Sequence, residues 1–166
     1  MIASDIHGSE FYCRKLIKAL SKEDADTILL LGDILDRSNE VAGMLNELNK
    51  TKTILCVRGN CDHQEDQEML DFPIMAYYCL LCIKGRRILA AHGHKSIPNL
   101  SQGDIFIHGH THVPTWNTDK EYIELNPGSV SEPRRGSPHS YLLLNDEGFT
   151  WKDLDGNIFH NSILWK

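Results

Sequence analysis

Five short apolar runs in this chain each lead into an aspartate, an asparagine or a histidine, and that rhythm restricts the fold more than any other feature. Asp5 and His7 follow Met1-Ile2-Ala3-Ser4, Asp33 follows Ile28 to Gly32, and Asn60 follows Ile54 to Gly59. His92 follows Arg87 to Ala91, and His110 with His112 follows Asp104 to Gly109. Runs of this length fit buried strands. Their ends would then deliver oxygen and imidazole donors to one edge of one core, which is where an open α/β sheet keeps its chemistry. Spacing within the pairs agrees. Asp5 and His7 are two residues apart, as are His110 and His112, so extended backbone would point both members of a pair to the same side.

The donor types define the chemistry. Carboxylate, amide oxygen and imidazole suit Mn²⁺, Fe²⁺, Zn²⁺ or Ni²⁺, and the absence of thiolate pairs argues against a structural zinc or iron–sulfur site. The seven residues exceed what one open four-coordinate ion needs, but they suit two ions bridged by a carboxylate. Asp33, standing alone after the central apolar run, is the natural bridge. A plainer reading makes these residues polar caps on strand ends that never meet a metal. It would suit a lone Asp-X-His, and the complete ordered set argues against it.

The remaining pattern divides the chain into two halves. Cys13, Leu16, Ile17 and Leu20 repeat at helical spacing, and Val41, Met44, Leu45 and Leu48 do so again. Each set follows a short apolar run, so right-handed crossovers and a parallel stretch of sheet are expected. From Met75 onward the signals are β-rich: strands are expected at 77–83, 87–91, 104–107, 122–125, 140–144 and 150–154, with turns at Lys84-Gly85 and Asp155-Gly156-Asn157. Two sheets packed face to face with helices outside would satisfy both halves. No internal repeat, low-complexity segment or linker divides the chain, so residues 1–166 are expected to form one domain. Only four residues precede Asp5. The first strand is therefore expected to be short, whether clipped or continued upstream, and fraying there would loosen two ligands.

The ordered set Asp5-Ile6-His7, Gly32-Asp33, Gly59-Asn60, His92-Gly93-His94 and Gly109-His110-Thr111-His112 resembles the signature of the calcineurin-like metallophosphoesterase superfamily. Within it the chain is most similar to the small bacterial YfcE-like phosphodiesterase family. That likeness rests on Ala3-Ser4-Asp5-Ile6-His7-Gly8-Ser9, Arg58-Gly59-Asn60-Cys61-Asp62, Asp71-Phe72-Pro73-Ile74 and Asn126-Pro127-Gly128-Ser129-Val130-Ser131. It extends to about Leu144, and the tail from about Asn145 carries no motif.

The resemblance implies an α/β fold, the four-layer α/β/β/α sandwich of two packed mixed sheets flanked by helices. It also implies a binuclear metal-dependent phosphoesterase acting on a small phosphodiester. One ion would take Asp5, His7, Asp33 and His112, and the other Asp33, Asn60, His92 and His110. The implied cofactors are two divalent ions, Mn²⁺ foremost, with Ni²⁺, Fe²⁺, Zn²⁺ or Mg²⁺ as substitutes. The implied nucleophile is a hydroxide bridging the ions, which attacks phosphorus in line without a covalent enzyme intermediate. Asp33, Asn60 and His94 are the expected catalytic residues, His94 through the substrate phosphate or a metal-bound water. Two other functions stay open: a phosphomonoesterase acting on nucleotides or sugar phosphates, and an inactive protein-binding scaffold of the same fold. Scaffold relatives lack part of the ligand set, whereas this chain keeps all of it.

Two departures bear on the reaction. Where many relatives carry a histidine after the asparagine, this chain has Cys61, as many YfcE-like chains do. A thiol with an ordinary pKa of about 8.5 is a weak acid for a departing alkoxide, so activity is expected to favour good leaving groups. The segment after Asp33 is short, Ile34-Leu35-Asp36-Arg37-Ser38-Asn39, and lacks the His-Gly-Pro-Arg stretch of YfcE-like chains. Arg37 is either a substitute phosphate contact or an exposed residue at a helix start.

Several polar residues need assignment. Asp is a preferred N-cap, so Asp62 is expected to cap a helix from Asp62 to Leu70 rather than to orient a ligand. Gly128 in Asn126-Pro127-Gly128-Ser129 suits a positive φ, and Asn126 or Ser129 is a candidate support for the site. His108 is expected to be structural, and His63, His139 and His160 to lie on the surface. Cys79 and Cys82 have the spacing of a metal or redox pair but sit in an apolar run with no second pair, so buried inert thiols are expected.

Net charge is −6, and no basic block or aromatic–basic interleaving is present, so an extended nucleic-acid surface is excluded. Neither a signal peptide nor a membrane-length apolar run is visible, and the odd set of five cysteines suits reduced thiols in the cytoplasm. The expected partner is a small phosphoester. Relatives often form dimers or larger assemblies, so the resemblance allows a homo-oligomer built on an exposed helix or sheet edge.

Overall fold

The computed structural model describes residues 1–163. In chain order the elements are β1 (Ile2–Ala3), α1 (Glu10–Lys22), β2 (Thr27–Leu30), α2 (Asn39–Asn49), β3 (Thr53–Cys56), α3 (Gln64–Glu68), β4 (Tyr78–Ile83), β5 (Arg86–Ala91), β6 (Ile105–His108), β7 (Thr115–Asn117), β8 (Ile123–Asn126), β9 (Ser140–Leu144), β10 (Gly148–Asp153) and β11 (Ile158–Ile163). They form a six-stranded sheet, ordered β11-β10-β9-β1-β2-β3, and a five-stranded sheet, ordered β4-β5-β6-β8-β7. Both are mixed. Strands β1, β2 and β3 run parallel in the first, and β5, β6 and β8 run parallel in the second.

Alternation along the strands builds the layers. Ile28 and Leu30 of β2 face the helices, together with Leu16 and Leu20 of α1 and Val41 and Leu45 of α2. Leu29 and Leu31 face the other way, into a second core shared with Ile88, Ile105, Ile107 and Leu125 of the five-stranded sheet. That core joins the sheets. Burying each such Leu or Ile side chain contributes roughly 1.5–3 kcal/mol. The outer face of the five-stranded sheet, at Leu89, Ala91 and Phe106, is covered by Ile97, Leu100 and Tyr122, so the layer there is loop rather than helix.

The two-residue β1 does not hang free. It lies between β2 and β9, with Ile2 and Ala3 buried. Ser38 caps α2 by accepting a hydrogen bond from the Val41 amide (3.2 Å). Trp151, fully buried, donates its indole N–H to the Asn126 carbonyl (2.8 Å), which ties β10 to the end of β8.

Several local expectations are corrected. Strands β7 and β11 had no clear signal, the first because it is three residues long and the second because Ile158 to Ile163 mixes polar and apolar residues without alternation. The helix expected over Asp62 to Leu70 is the single turn α3, and its N-cap is His63, whose capping box is completed by Asp66. Cys82 is exposed and Cys79 only half-buried, because β4 is an edge strand that alternates. Three residues apart on a strand, they point to opposite faces and form no pair. His63 is exposed as expected, whereas His139 and His160 are half-buried, stacked on Tyr12 (4.0 Å) and Trp116 (3.9 Å).

Candidate metal centre

Parallel strands from both sheets end at one rim of the sandwich. The segment after β1 carries Asp5 and His7, that after β2 carries Asp33, and that after β3 carries Asn60. From the other sheet, the segments after β5 and β6 supply His92, His94, His110 and His112. The pairs do not converge through extended backbone as the two-residue spacing suggested. Asp5 (φ 58), His7 (φ 45), Asp33 (φ 52), His110 (φ 64) and His112 (φ 61) all adopt the left-handed conformation. Asp, Asn and His tolerate it better than most residues, and such outliers cluster at functional sites. The tight turns this creates aim side chains inward immediately after the strand ends.

Two groups of donors result. In one, His112 Nε2 is 3.2 Å from Asp5 Oδ1 and 3.4 Å from His7 Nε2. In the other, His92 Nε2 is 3.2 Å from Asp33 Oδ2 and 3.0 Å from Asn60 Oδ1. Asp33 Oδ2 also lies 3.8 Å from His7 Nε2, so it faces both groups. Its other oxygen is occupied, accepting the Cys61 amide (2.8 Å). The His110 ring packs 5.0 Å from that of His92, while its backbone N–H donates to Asp5 Oδ2 (3.2 Å).

These contacts bring lone pairs together, and the tautomers make that explicit. His92 Nδ1 lies 2.7 Å from the Leu31 carbonyl and His112 Nδ1 lies 2.8 Å from the Glu132 carbonyl. A carbonyl only accepts, so both Nδ1 atoms carry the proton, and in the neutral rings both Nε2 atoms present a lone pair to carboxylate and amide oxygens. A bound cation, or a second proton on the ring, would relieve that contact. Asp5 Oδ1, fully buried, has no hydrogen-bond partner among the described residues. Two ligands about 2.1 Å from one ion lie about 3.0–3.4 Å apart, which matches the closest donor separations. The donor set therefore fits divalent ions.

The titration shifts carry the same message. Burial by itself would raise the Asp33 carboxyl, but the His92 contact, the Cys61 amide and the His7 ring together hold it well below the usual carboxylate range. Burial opposes charging of His92, yet Asp33 raises it, and the Asp5 contact raises His112. A proton takes the cation's part in these directions. His94 and His110 are lowered, by burial first and then by His92.

Asp62 is the residue whose sequence reading needs correction. It is fully buried and accepts three backbone N–H bonds, from Asp33 (2.9 Å) and Gly59 (2.7 Å) on Oδ2 and from Ile34 (2.9 Å) on Oδ1. It clamps the segments after β2 and β3 and caps no helix. Asn126 and Ser129 support the site as expected: Asn126 Nδ2 donates to the Gly109 carbonyl (2.8 Å), and Ser129 Oγ donates to the Asp5 carbonyl (3.0 Å). Gly128 has the expected positive φ of 84°. His108 is buried, stacked on Phe106 and bonded to its own turn, in keeping with a structural role. Arg37 is exposed, with its backbone N–H donated to Asp66 Oδ1 (3.0 Å). Sequence reasoning missed Ser131, which donates to the Asp5 carbonyl (3.1 Å), because a serine in a turn carries no distinguishing signal.

Residues 1–148 match the family model of the calcineurin-like phosphoesterase superfamily domain. The chain is 35% identical over 162 residues to phosphodiesterase YfcE of Escherichia coli strain K12, covering 89% of this chain and 87% of that protein. The solved structure of YfcE, a phosphoesterase from E. coli, superposes with a TM-score of 0.91 at 33% identity, covering 99% and 98% of the two chains. Vacuolar protein sorting 29 from Cryptosporidium parvum shares the fold, with a TM-score of 0.67 at 23% identity over 95% of this chain and 92% of that one.

Proposed function

This chain belongs to the calcineurin-like phosphoesterase superfamily, and from that premise we propose that it is a phosphodiesterase which hydrolyses a small phosphodiester with two divalent ions. The observation that carries the reading is the pair of donor groups sharing Asp33. Asp5, His7, Asp33 and His112 would hold one ion, and Asp33, Asn60, His92 and His110 the other. Asp33 would serve both through Oδ2, which faces the two donor groups, while its Oδ1 accepts the Cys61 amide. When bound, the ions supply Lewis-acid polarisation of the phosphoryl group and an acidified water as nucleophile.

The chain's own residues position the ester. Asn60 is exposed at the rim, its amide oxygen toward His92 and its nitrogen toward Cys61 Sγ (3.2 Å). His94, whose Nδ1 is buried with no partner among the described residues, stands 5.3 Å from the His92 ring and is assigned to a non-bridging phosphoryl oxygen. Its lowered pKa keeps it neutral at pH 7, as a hydrogen-bonding rather than a charged contact.

Oxygen and imidazole donors accommodate Mn²⁺, Fe²⁺, Zn²⁺ or Ni²⁺ alike, and Mn²⁺ is put first on the family likeness, with Mg²⁺ as a further substitute. Both sheets contribute ligands and share one core, which supports a single catalytic domain. The five free cysteines suit a cytoplasmic location. Among the described residues no helix is long and apolar enough to cross a membrane.

The test is the initial rate on bis(p-nitrophenyl) phosphate and p-nitrophenyl phosphate, with Mn²⁺, Ni²⁺, Zn²⁺ or Mg²⁺ supplied in turn. Turnover of the diester that is lost in folded Asp33→Asn and Asn60→Ala proteins supports the mechanism. Wild-type rates in those variants would sink it, and a preference for the monoester would replace the diesterase reading with a phosphomonoesterase.

A further inference from the structure

Beside the proposed metal centre, the end of β3, the approach to β4 and the segment after β5 bring Arg58, Tyr77 and Lys95 together. Arg58 Nη1 donates to the Tyr77 hydroxyl (3.0 Å), and its guanidinium carbon lies 5.6 Å from the Tyr77 ring centre. The Lys95 ammonium lies 4.1 Å from the same ring centre. This arrangement is held in place by its backbone. The Arg58 amide donates to the Ala76 carbonyl (2.7 Å), and the Tyr78 hydroxyl donates to the Ser96 carbonyl (2.7 Å). Arg58 Nε also donates to the carbonyl of Asp62, the residue that clamps the ligand segments (3.1 Å).

The charges are unbalanced. The chain has 23 acidic against 17 basic residues, and Arg14, Lys15, Lys50, Arg87, Lys120 and Lys152 each meet a carboxylate. Arg58 and Lys95 meet none among the described residues. Two cations held at one phenol repel each other, and an anion received between them relieves that repulsion. The phenol responds to its neighbours: Lys95 and then Arg58 draw the Tyr77 pKa below its ordinary value. The group also adjoins the site. Tyr77 lies 6.3 Å from His94 between ring centres, and one small cavity is lined by Tyr77, His92, His94 and Lys95 together.

We propose that Arg58, Lys95 and the Tyr77 hydroxyl form a second oxyanion subsite, which selects phosphoesters carrying another negatively charged group beyond the scissile phosphate. This rests on the phosphoesterase reading above and deepens it. Guanidinium and ammonium donors make charge-assisted hydrogen bonds to phosphate or carboxylate, and the phenol adds one uncharged contact. A diester with two uncharged arms leaves all three unused.

The test compares kcat/KM for 4-carboxyphenyl 4-nitrophenyl phosphate and bis(4-nitrophenyl) phosphate in wild type and R58A/K95A, both loaded with Mn²⁺. The leaving group is the same in the two esters, and their intrinsic difference cancels between proteins. The ratio should fall about tenfold in the double variant, mainly through KM of the carboxylated ester. Y77F, which keeps both charges, should lower it about threefold. An unchanged ratio in R58A/K95A overturns the subsite and leaves the phosphoesterase reading standing. If wild type hydrolyses neither ester, that reading falls instead, and calorimetric titration of metal-free protein decides the subsite. Pyrophosphate or malonate binding about tenfold weaker in R58A/K95A supports it, with the better ligand separating phosphate from carboxylate. Equal binding overturns it.

Discussion

Replacing Asp62 by alanine should destabilise the protein by about 4 kcal/mol and loosen the metal centre at the same time. The side chain is fully buried and accepts amide protons from Asp33, Ile34 and Gly59 at 2.7–2.9 Å. Hydrogen bonds to a charged acceptor contribute roughly 1.5–3 kcal/mol each, so three amount to roughly 4.5–9 kcal/mol. Against them stands the desolvation of the carboxylate, which costs several kcal/mol and pushes its pKa upward. Alanine also leaves three buried N–H groups without an acceptor. Asparagine separates these effects. With its oxygen in the Oδ2 position it keeps the Asp33 and Gly59 bonds and sets an NH₂ group against the Ile34 amide, for a loss of about 2 kcal/mol. Urea unfolding in excess chelator measures both, and the alanine midpoint should fall by about 2 M. Because Asp62 orients the segments bearing Asp33 and Asn60, metal affinity should fall about 10- to 100-fold in a competition titration. An asparagine variant within about 0.5 kcal/mol of wild type, with unaltered metal affinity, would refute the clamp.

Further outcomes follow from neighbouring geometry. Gly59 has a φ that any residue tolerates, but a methyl group there would collide with the carboxylate and amide of Asp33. Gly59→Ala should cost about 1–3 kcal/mol and lower the metal-to-protein ratio, measured by urea unfolding and plasma mass spectrometry. The Cys61 thiol is pushed up to about 12, by burial first and then by Asp33, so it stays protonated near neutrality. Cys61→Ser should therefore keep the shape of the pH–rate profile for bis(p-nitrophenyl) phosphate between about pH 6 and 9, and the loss of an ionising limb would contradict this. Glu23 accepts from Lys152 and the Tyr141 hydroxyl (2.8 Å each), and these contacts outweigh burial and lower its pKa. Its folded pKa lies below the ordinary 4.5, so its contribution is full above that value and is lost as pH falls through the lowered one. Glu23→Gln should cost about 1–2 kcal/mol at pH 7 and progressively less below about pH 4, checked by thermal unfolding across pH.

The donors were legible in the sequence because each follows an apolar run, and strand ends must gather at one rim when the strands are parallel. What the sequence hid is how the donors are aimed. A two-residue spacing suggested extended backbone, while the structure uses left-handed turns at Asp5, His7, Asp33, His110 and His112. Single-residue conformation is set by the hydrogen bonds that surround it, and those arrive from distant segments. The same holds for Asp62. Its nearest sequence context favours a cap, and only the approach of Asp33 and Ile34, 29 and 28 residues away, makes it a clamp. Short β7 escaped because three residues give no period to detect.

The rim that holds the candidate ligands is also the seam between the two sheets. In the middle of the sandwich the sheets meet through apolar side chains such as Leu29, Ile105 and Trp151. At the rim the joints are polar. The Val130 amide donates to the Ser4 carbonyl (3.0 Å), Ser129 and Ser131 donate to the Asp5 carbonyl, and His92 Nδ1 donates to the Leu31 carbonyl. The His92 bond runs from the five-stranded sheet to the six-stranded one, and the other three tie the connection between β8 and β9 to the segment after β1. Left-handed backbone at non-glycine residues costs about 1–2 kcal/mol apiece, and five of the ten such residues among those described are candidate ligands. The seam is therefore strained where its donors converge and over-determined by the bonds around them. That combination holds a cluster of facing lone pairs ready for cations, and it makes this rim the part of the fold in which ligand binding and sheet packing are one set of contacts.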